Sequence, residues 1–145
     1  KDEEYLLHRY NCHPKYKYSI LKIKEDNNIL CQLIIRQINI GNKKLLRIVD
    51  IIYLNLSINC ETYSRNITNF LVDNQYEYID FVSAANSCEL AKSMGFYKRN
   101  DDDIIPNHFE PFQKKNVDTI IAYKLANEKN YFFFKGDADS DRPNV

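Results

Sequence analysis

The stretch Leu45-Leu46-Arg47-Ile48-Val49-Asp50-Ile51-Ile52-Tyr53-Leu54 is rich in β-branched residues and mostly apolar at odd and even positions alike. A strand with one wet face alternates apolar and polar, whereas one covered on both faces does not, so this run predicts a central strand. Arg47, Asp50 and Asn55 break the apolar stretch from Leu45 to Leu56, leaving it far short of the roughly 20 apolar residues a membrane-spanning helix needs.

Upstream, Tyr16 to Lys24 largely alternates, Glu25-Asp26-Asn27-Asn28 supplies turn residues, and Ile29 to Ile38 is apolar again. This predicts a β-hairpin, joined through Gly41-Asn42-Lys43-Lys44 to the central strand as an antiparallel group of three. Before it, Glu3 to Tyr10 has helical spacing of Tyr5, Leu6 and Tyr10, and the helix should stop ahead of His13-Pro14 because the residue before a proline avoids the helical region.

Downstream, Tyr63, Ile67, Phe70 and Leu71 fall on one face of a helix over 61–74, and Glu77 to Val82 reads as a strand directly after it. Strand, helix and strand at this spacing predict a right-handed βαβ unit with two parallel strands. A second short helix is expected over Asn86 to Met94, with Gly95 as its C-cap and Phe96 folding back onto the core. The stretch Ile104 to Asn116, with Pro106 and Pro111, reads as an ordered loop. Val117 to Leu125 and Asn130 to Lys135 read as two antiparallel strands, and residues 137–145 as a polar tail.

The chain has 145 residues, 44% hydrophobic and 28% charged, with 3 Gly and 4 Pro, which fits one folded domain spanning 1–145. Twenty basic and twenty acidic residues give a formal net charge of +0, so nucleic acid and anionic lipid are not expected partners. The start at Lys1-Asp2-Glu3-Glu4 shows no signal pattern and suggests the C-terminal part of a longer protein. Cys12, Cys31, Cys60 and Cys88 are dispersed, without a C-x-x-C pair, which points to four free core thiols in a reducing cytoplasm; two disulfides are the alternative in an oxidising compartment.

The hairpin over 16–38, the strand reaching Asp50-Ile51 and the segment Asn86-Ser87-Cys88-Glu89-Leu90-Ala91-Lys92-Ser93-Met94-Gly95-Phe96 together resemble the GNAT acyltransferase fold, an α/β fold with a mixed sheet. A narrower resemblance, to GNAT-like proteins of bacterial polysaccharide gene clusters, rests on Arg9-Tyr10 with His13-Pro14, on Ile105-Pro106-Asn107-His108-Phe109-Glu110-Pro111-Phe112 and on Gly136-Asp137-Ala138-Asp139-Ser140-Asp141-Arg142-Pro143-Asn144. The resemblance implies an N-acyltransferase acting on an amino-sugar, nucleotide-sugar or other small amine, with acetyl-CoA or another acyl-CoA as donor. The donor would lie along the backbone of Ile52, Tyr53 and Leu54, with Asn86 at the start of the next helix.

Three departures bear on that implication. Only one short helix precedes the hairpin, so the front of the family fold is incomplete. No glycine occurs from Leu54 to Cys60, where the family holds the pyrophosphate with a Gly-rich loop. Ala91 occupies the position where the family often has a proton-donating Tyr. A degenerate, non-catalytic GNAT-like domain binding a sugar or partner protein is therefore the alternative.

His108 and Glu110 flank Phe109 in the Pro-bounded loop, where imidazole and carboxylate suit proton removal from an amine; ordering the loop is the plainer role. Arg9 suits a phosphate or an acidic neighbour, and His13 lies beside it in sequence. Asp139, Asp141 and Arg142 suit sugar hydroxyls or simply a fixed tail, while Asp137, Asp139 and Asp141 lack the Gly and distal Glu of a calcium loop, so no metal is expected. Tyr131-Phe132-Phe133-Phe134 reads as core or sheet surface, with a homodimer edge or docking to another domain of the parent protein as the interaction reading.

Overall fold

The computed structural model describes residues 2–54, 60–85, 91–92, 94–100, 102 and 132–137. Strands β1 (Ser19–Glu25), β2 (Asn28–Ile40) and β3 (Lys43–Leu54) form an antiparallel meander, and β4 (Ile79–Phe81) joins it parallel to β3, giving a mixed sheet in the order β1-β2-β3-β4. Both turns are tighter than the sequence suggests. Asp26 at φ 53° and Gly41 at φ 57° take the left-handed conformation, which Asp tolerates and Gly adopts freely, so the ladders run almost to the turn tips. The first strand begins at Ser19 rather than Tyr16, because the chain from His13 to Tyr18 is occupied by contacts of its own.

Helix α2 (Cys60–Asp73) connects β3 to β4 and covers one face of the sheet. Its stripe is the expected one: Tyr63 and Ile67 are buried and Phe70 and Leu71 pack beside them, against Ile23, Leu33, Ile35, Leu46 and Ile48. Each buried Leu or Ile side chain contributes about 1.5–3 kcal/mol. An exposed ion pair such as Lys43–Glu77 gives about 0–1 kcal/mol, so apolar burial holds this layer. The helix ends in a Schellman motif: Tyr76 N–H donates to Leu71 C=O and Gln75 N–H to Val72 C=O, with Gln75 at φ 56° in the position usually taken by Gly.

The same motif recurs at Gly95. Phe96 N–H donates to Ala91 C=O, Gly95 N–H donates to Lys92 C=O, and Gly95 lies at φ 86°. A Cβ on Gly95 would collide with the Ser64 side chain, so α2 and this turn approach as closely as they do only because the residue is glycine. Phe96 packs back on the core, its ring 5.6 Å from Phe81, as the sequence predicts.

Several expectations are corrected. The first helix is α-helical only over α1 (Glu3–Leu6), capped by the Asp2 side chain, and continues as a π-helical turn over Leu7–Asn11. The strand expected over 77–82 is two: β4 ends at Phe81, and β5 (Ser83–Ala85) leaves for a second sheet with β6 (Phe132–Phe134). Cys12 is exposed, while Cys31 is a buried core thiol that burial pushes up to about 12; both are free. Residues 86–90, 103–131 and 138–145, and with them the expected strand over 117–125, lie outside the described residues. Among the described residues, no helix is long and apolar enough to cross a membrane.

Candidate functional site

Parallel pairing of β3 with β4 lasts from Leu46 opposite Ile79 to Ile48 opposite Phe81. Beyond that point the strands take different partners. β3 runs on to Leu54 beside β2, whereas the chain after Phe81 crosses into β5 and pairs with β6. Among the described residues, β3 from Val49 to Leu54 therefore has a strand on one side only, at the carboxyl end of a parallel pair, the place where open α/β sheets receive ligands.

The sheet face opposite α2 is polar at its centre. Arg36, Arg47 and Asp80 stand in register across β2, β3 and β4. Two arginines directly opposite would repel. Asp80 offsets this by holding Arg47 through Nε to both carboxylate oxygens, at 2.9 and 3.0 Å, and through Nη2 to Oδ2 at 2.6 Å. The Arg36 guanidinium lies 4.6 Å from the Tyr16 ring centre. Burial pushes the Tyr78 hydroxyl up to about 12, with the Asp80 charge adding to the rise and Arg47 opposing it.

A β-bulge aims Asp50 at this face. Ile35 pairs with Ile48 and Ile34 with Asp50, so Val49 is the extra residue. Strict alternation would turn Asp50 towards α2; the bulge keeps Val49 and Asp50 both on the opposite side, with Tyr10. The Tyr10 hydroxyl donates to Asp50 Oδ2 at 2.7 Å, and Ile51 N–H donates to Oδ1 at 2.8 Å. Burial, then the hydrogen bond and charge of Asp50, hold the Tyr10 hydroxyl far above the ordinary phenol range. The 3₁₀ turn Lys135–Asp137 lies on top: the Gly136 carbonyl accepts from Tyr5 Oη at 3.2 Å and Arg9 Nε at 3.1 Å, and Phe134 N–H donates to Asp137 Oδ2 at 2.8 Å. Arg47 and Asp50 are 0% exposed, Lys135 2% and Tyr10 5%. All four side chains are thus closed off from solvent.

Of the residues singled out from sequence, Arg9 and Ile52 lie on this face, Arg9 through Gly136 and Ile52 packed against the cluster of Tyr10, Ile34 and Val49. The backbone of Tyr53 and Leu54 ends β3 opposite Gln32 and Cys31, on the one-sided stretch. His13 turns to its own segment, where Nδ1 accepts the Tyr16 and Lys15 amides. Asn86, His108, Phe109, Glu110, Asp139, Asp141 and Arg142 lie outside the described residues. A shallow depression of about 390 Å³ is lined by Asp2, Glu4, Tyr5, His8 and Arg9 of the first helix, of which Tyr5 and Arg9 also bind the Gly136 carbonyl.

Sequence reasoning passed over Tyr10, Arg47, Asp50, Asp80, Lys135 and Gly136. One signal was present: Arg47 and Asp50 are three apart, a spacing that an unbroken strand would put on opposite faces, and a bulge is what lets both be buried together. Among the described residues, no group of three His, Cys, Asp or Glu side chains is placed to hold a metal ion. No family model, curated protein or solved structure matches the chain.

Proposed function

We propose that the chain is a GNAT-like domain that receives an acyl-CoA between the diverging β3 and β4 and transfers the acyl group to a small amine, of the amino-sugar kind used in bacterial surface polysaccharide. The supporting observation is the short parallel pairing of β3 and β4 followed by their separation, which among the described residues leaves the backbone of Ile52 to Leu54 with a strand on one side. Such an edge accepts an amide-bearing, extended ligand as a further strand would be accepted. In this reading the substrate amine attacks the thioester carbonyl, the C–N bond forms as the C–S bond breaks, and His108 or Glu110 takes the proton from the amine.

Calorimetric titration with acetyl-CoA tests it. Saturable binding in the micromolar range is expected, followed by amine-dependent thiol release that His108→Ala or Glu110→Ala diminishes. An absence of heat at millimolar acetyl-CoA overturns the acyltransferase reading. A second reading, a non-catalytic domain that binds a sugar or a partner protein, is favoured by the enclosed polar face, whose charges are spent inside the fold; saturable sugar binding without acetyl-CoA binding would mark it.

A further inference from the structure

His13 sits where the first helix gives way to β1, and two backbone N–H groups converge on its Nδ1: Tyr16 at 2.9 Å and Lys15 at 3.2 Å. A nitrogen that accepts has no proton, so the neutral ring carries its proton on Nε2. The ring stacks on Tyr16 (5.3 Å between centres, 25° between planes) and meets Tyr18 edge-on at 5.7 Å, while Tyr18 in turn packs on Tyr10 at 5.1 Å. One imidazole thus fastens the 13–18 segment to itself and to the aromatic row that reaches the buried Tyr10–Asp50 pair.

We infer that His13 is a pH-operated latch: protonation of Nδ1 breaks both amide bonds and releases residues 13–18 from the sheet. An acceptor turned donor cannot keep either N–H partner, and those amides must then find water. Among the described residues, Tyr16 and Tyr18 of its own segment meet the ring, with Arg36 of β2 over the Tyr16 ring and Tyr10 of the first helix behind Tyr18; Cys12 and Lys15 are exposed residues close by in the chain. The Arg36 charge in the same stack opposes a second cation. The segment is therefore closed while the ring is neutral and opens once Nδ1 takes up a proton. This inference stands independently of the acyl-transfer proposal.

The test is site-resolved NMR of the whole chain between about pH 8 and about pH 5, following the ring nitrogens of His13 and the exchange protection of the Tyr16 amide relative to intrinsic rates. The expected result is an Nε2-protonated ring at high pH and a loss of Tyr16 protection of about tenfold or more as His13 titrates. In His13→Asn, whose side-chain oxygen accepts without titrating, Tyr16 protection should not vary over that range. The latch is refuted by Tyr16 protection that stays constant while the ring titrates, by a ring that stays neutral down to about pH 5, or by a parallel loss in His13→Asn.

Discussion

The Tyr10 hydroxyl donates to Asp50 Oδ2 at 2.7 Å across a separation of 40 residues, and a Cβ on Gly136 would fall onto the same hydroxyl. This bond ties the first helix to the central strand and fixes where the 3₁₀ turn can rest. Tyr10→Phe leaves a carboxylate oxygen of Asp50 buried without that donor, and we expect a loss of about 1–3 kcal/mol in urea unfolding. A change below about 0.5 kcal/mol, the scatter of ordinary surface substitutions, would show that the bond does not bear on stability.

Gly136→Ala should destabilise by about 1–3 kcal/mol, because the added methyl meets the Tyr10 hydroxyl and lies 3.1 Å from Asp50 Oδ2. Much of that loss comes from the hydroxyl itself, so the same substitution in a Tyr10→Phe background should cost less. Equal losses in the two backgrounds, measured as a double-mutant cycle, would contradict the packing described.

Arg47→Met leaves the Asp80 carboxylate without its fork of donors beneath a covered face, and a loss of about 3–5 kcal/mol is expected. The pair Arg47→Met with Asp80→Leu should lose less than the sum of the single changes, since neither member of the pair then leaves the other's charge behind. Chemical denaturation of the four proteins checks both statements.

Gln75→Gly should stabilise. Gln75 holds φ 56° at the end of α2, a conformation that costs a side-chain-bearing residue about 1–2 kcal/mol and glycine nothing. Glycine's greater freedom in the unfolded chain returns part of this, so a net gain of about 0.5–1 kcal/mol is expected. A lowered thermal midpoint would reverse the argument.

Stability should fall on the alkaline side. The Cys31 thiol is pushed up to about 12 by burial, and Tyr78 and Tyr10 are raised for the same principal reason. Each group stays neutral in the fold while its unfolded counterpart ionises, the thiol from about pH 8.5 and the phenols from about pH 10. The unfolded state then binds fewer protons, and unfolding free energy declines as pH rises through that window. Cys31→Val should remove the earlier part of the decline, as read from denaturation midpoints between about pH 8 and about pH 11.

The sequence by itself determined what local chemistry and periodicity can carry. The doubly buried run of β3, the apolar stripe of Tyr63, Ile67, Phe70 and Leu71, and the Gly95-Phe96 stop each repeat along a few neighbouring residues, so they are legible one segment at a time. The parallel β3–α2–β4 unit followed from the spacing of those segments. What only the tertiary structure decided is where β4 leaves β3, which partner β6 takes, and that Tyr10, Asp50, Arg9 and Gly136 meet on one face. Those outcomes turn on a single extra residue at Val49 and on contacts between segments as much as 131 residues apart. A bulge shows little in a run that is apolar at odd and even positions alike, where only the Arg47–Asp50 spacing betrays it, and a buried carboxylate is tolerated only when a distant donor arrives to satisfy it.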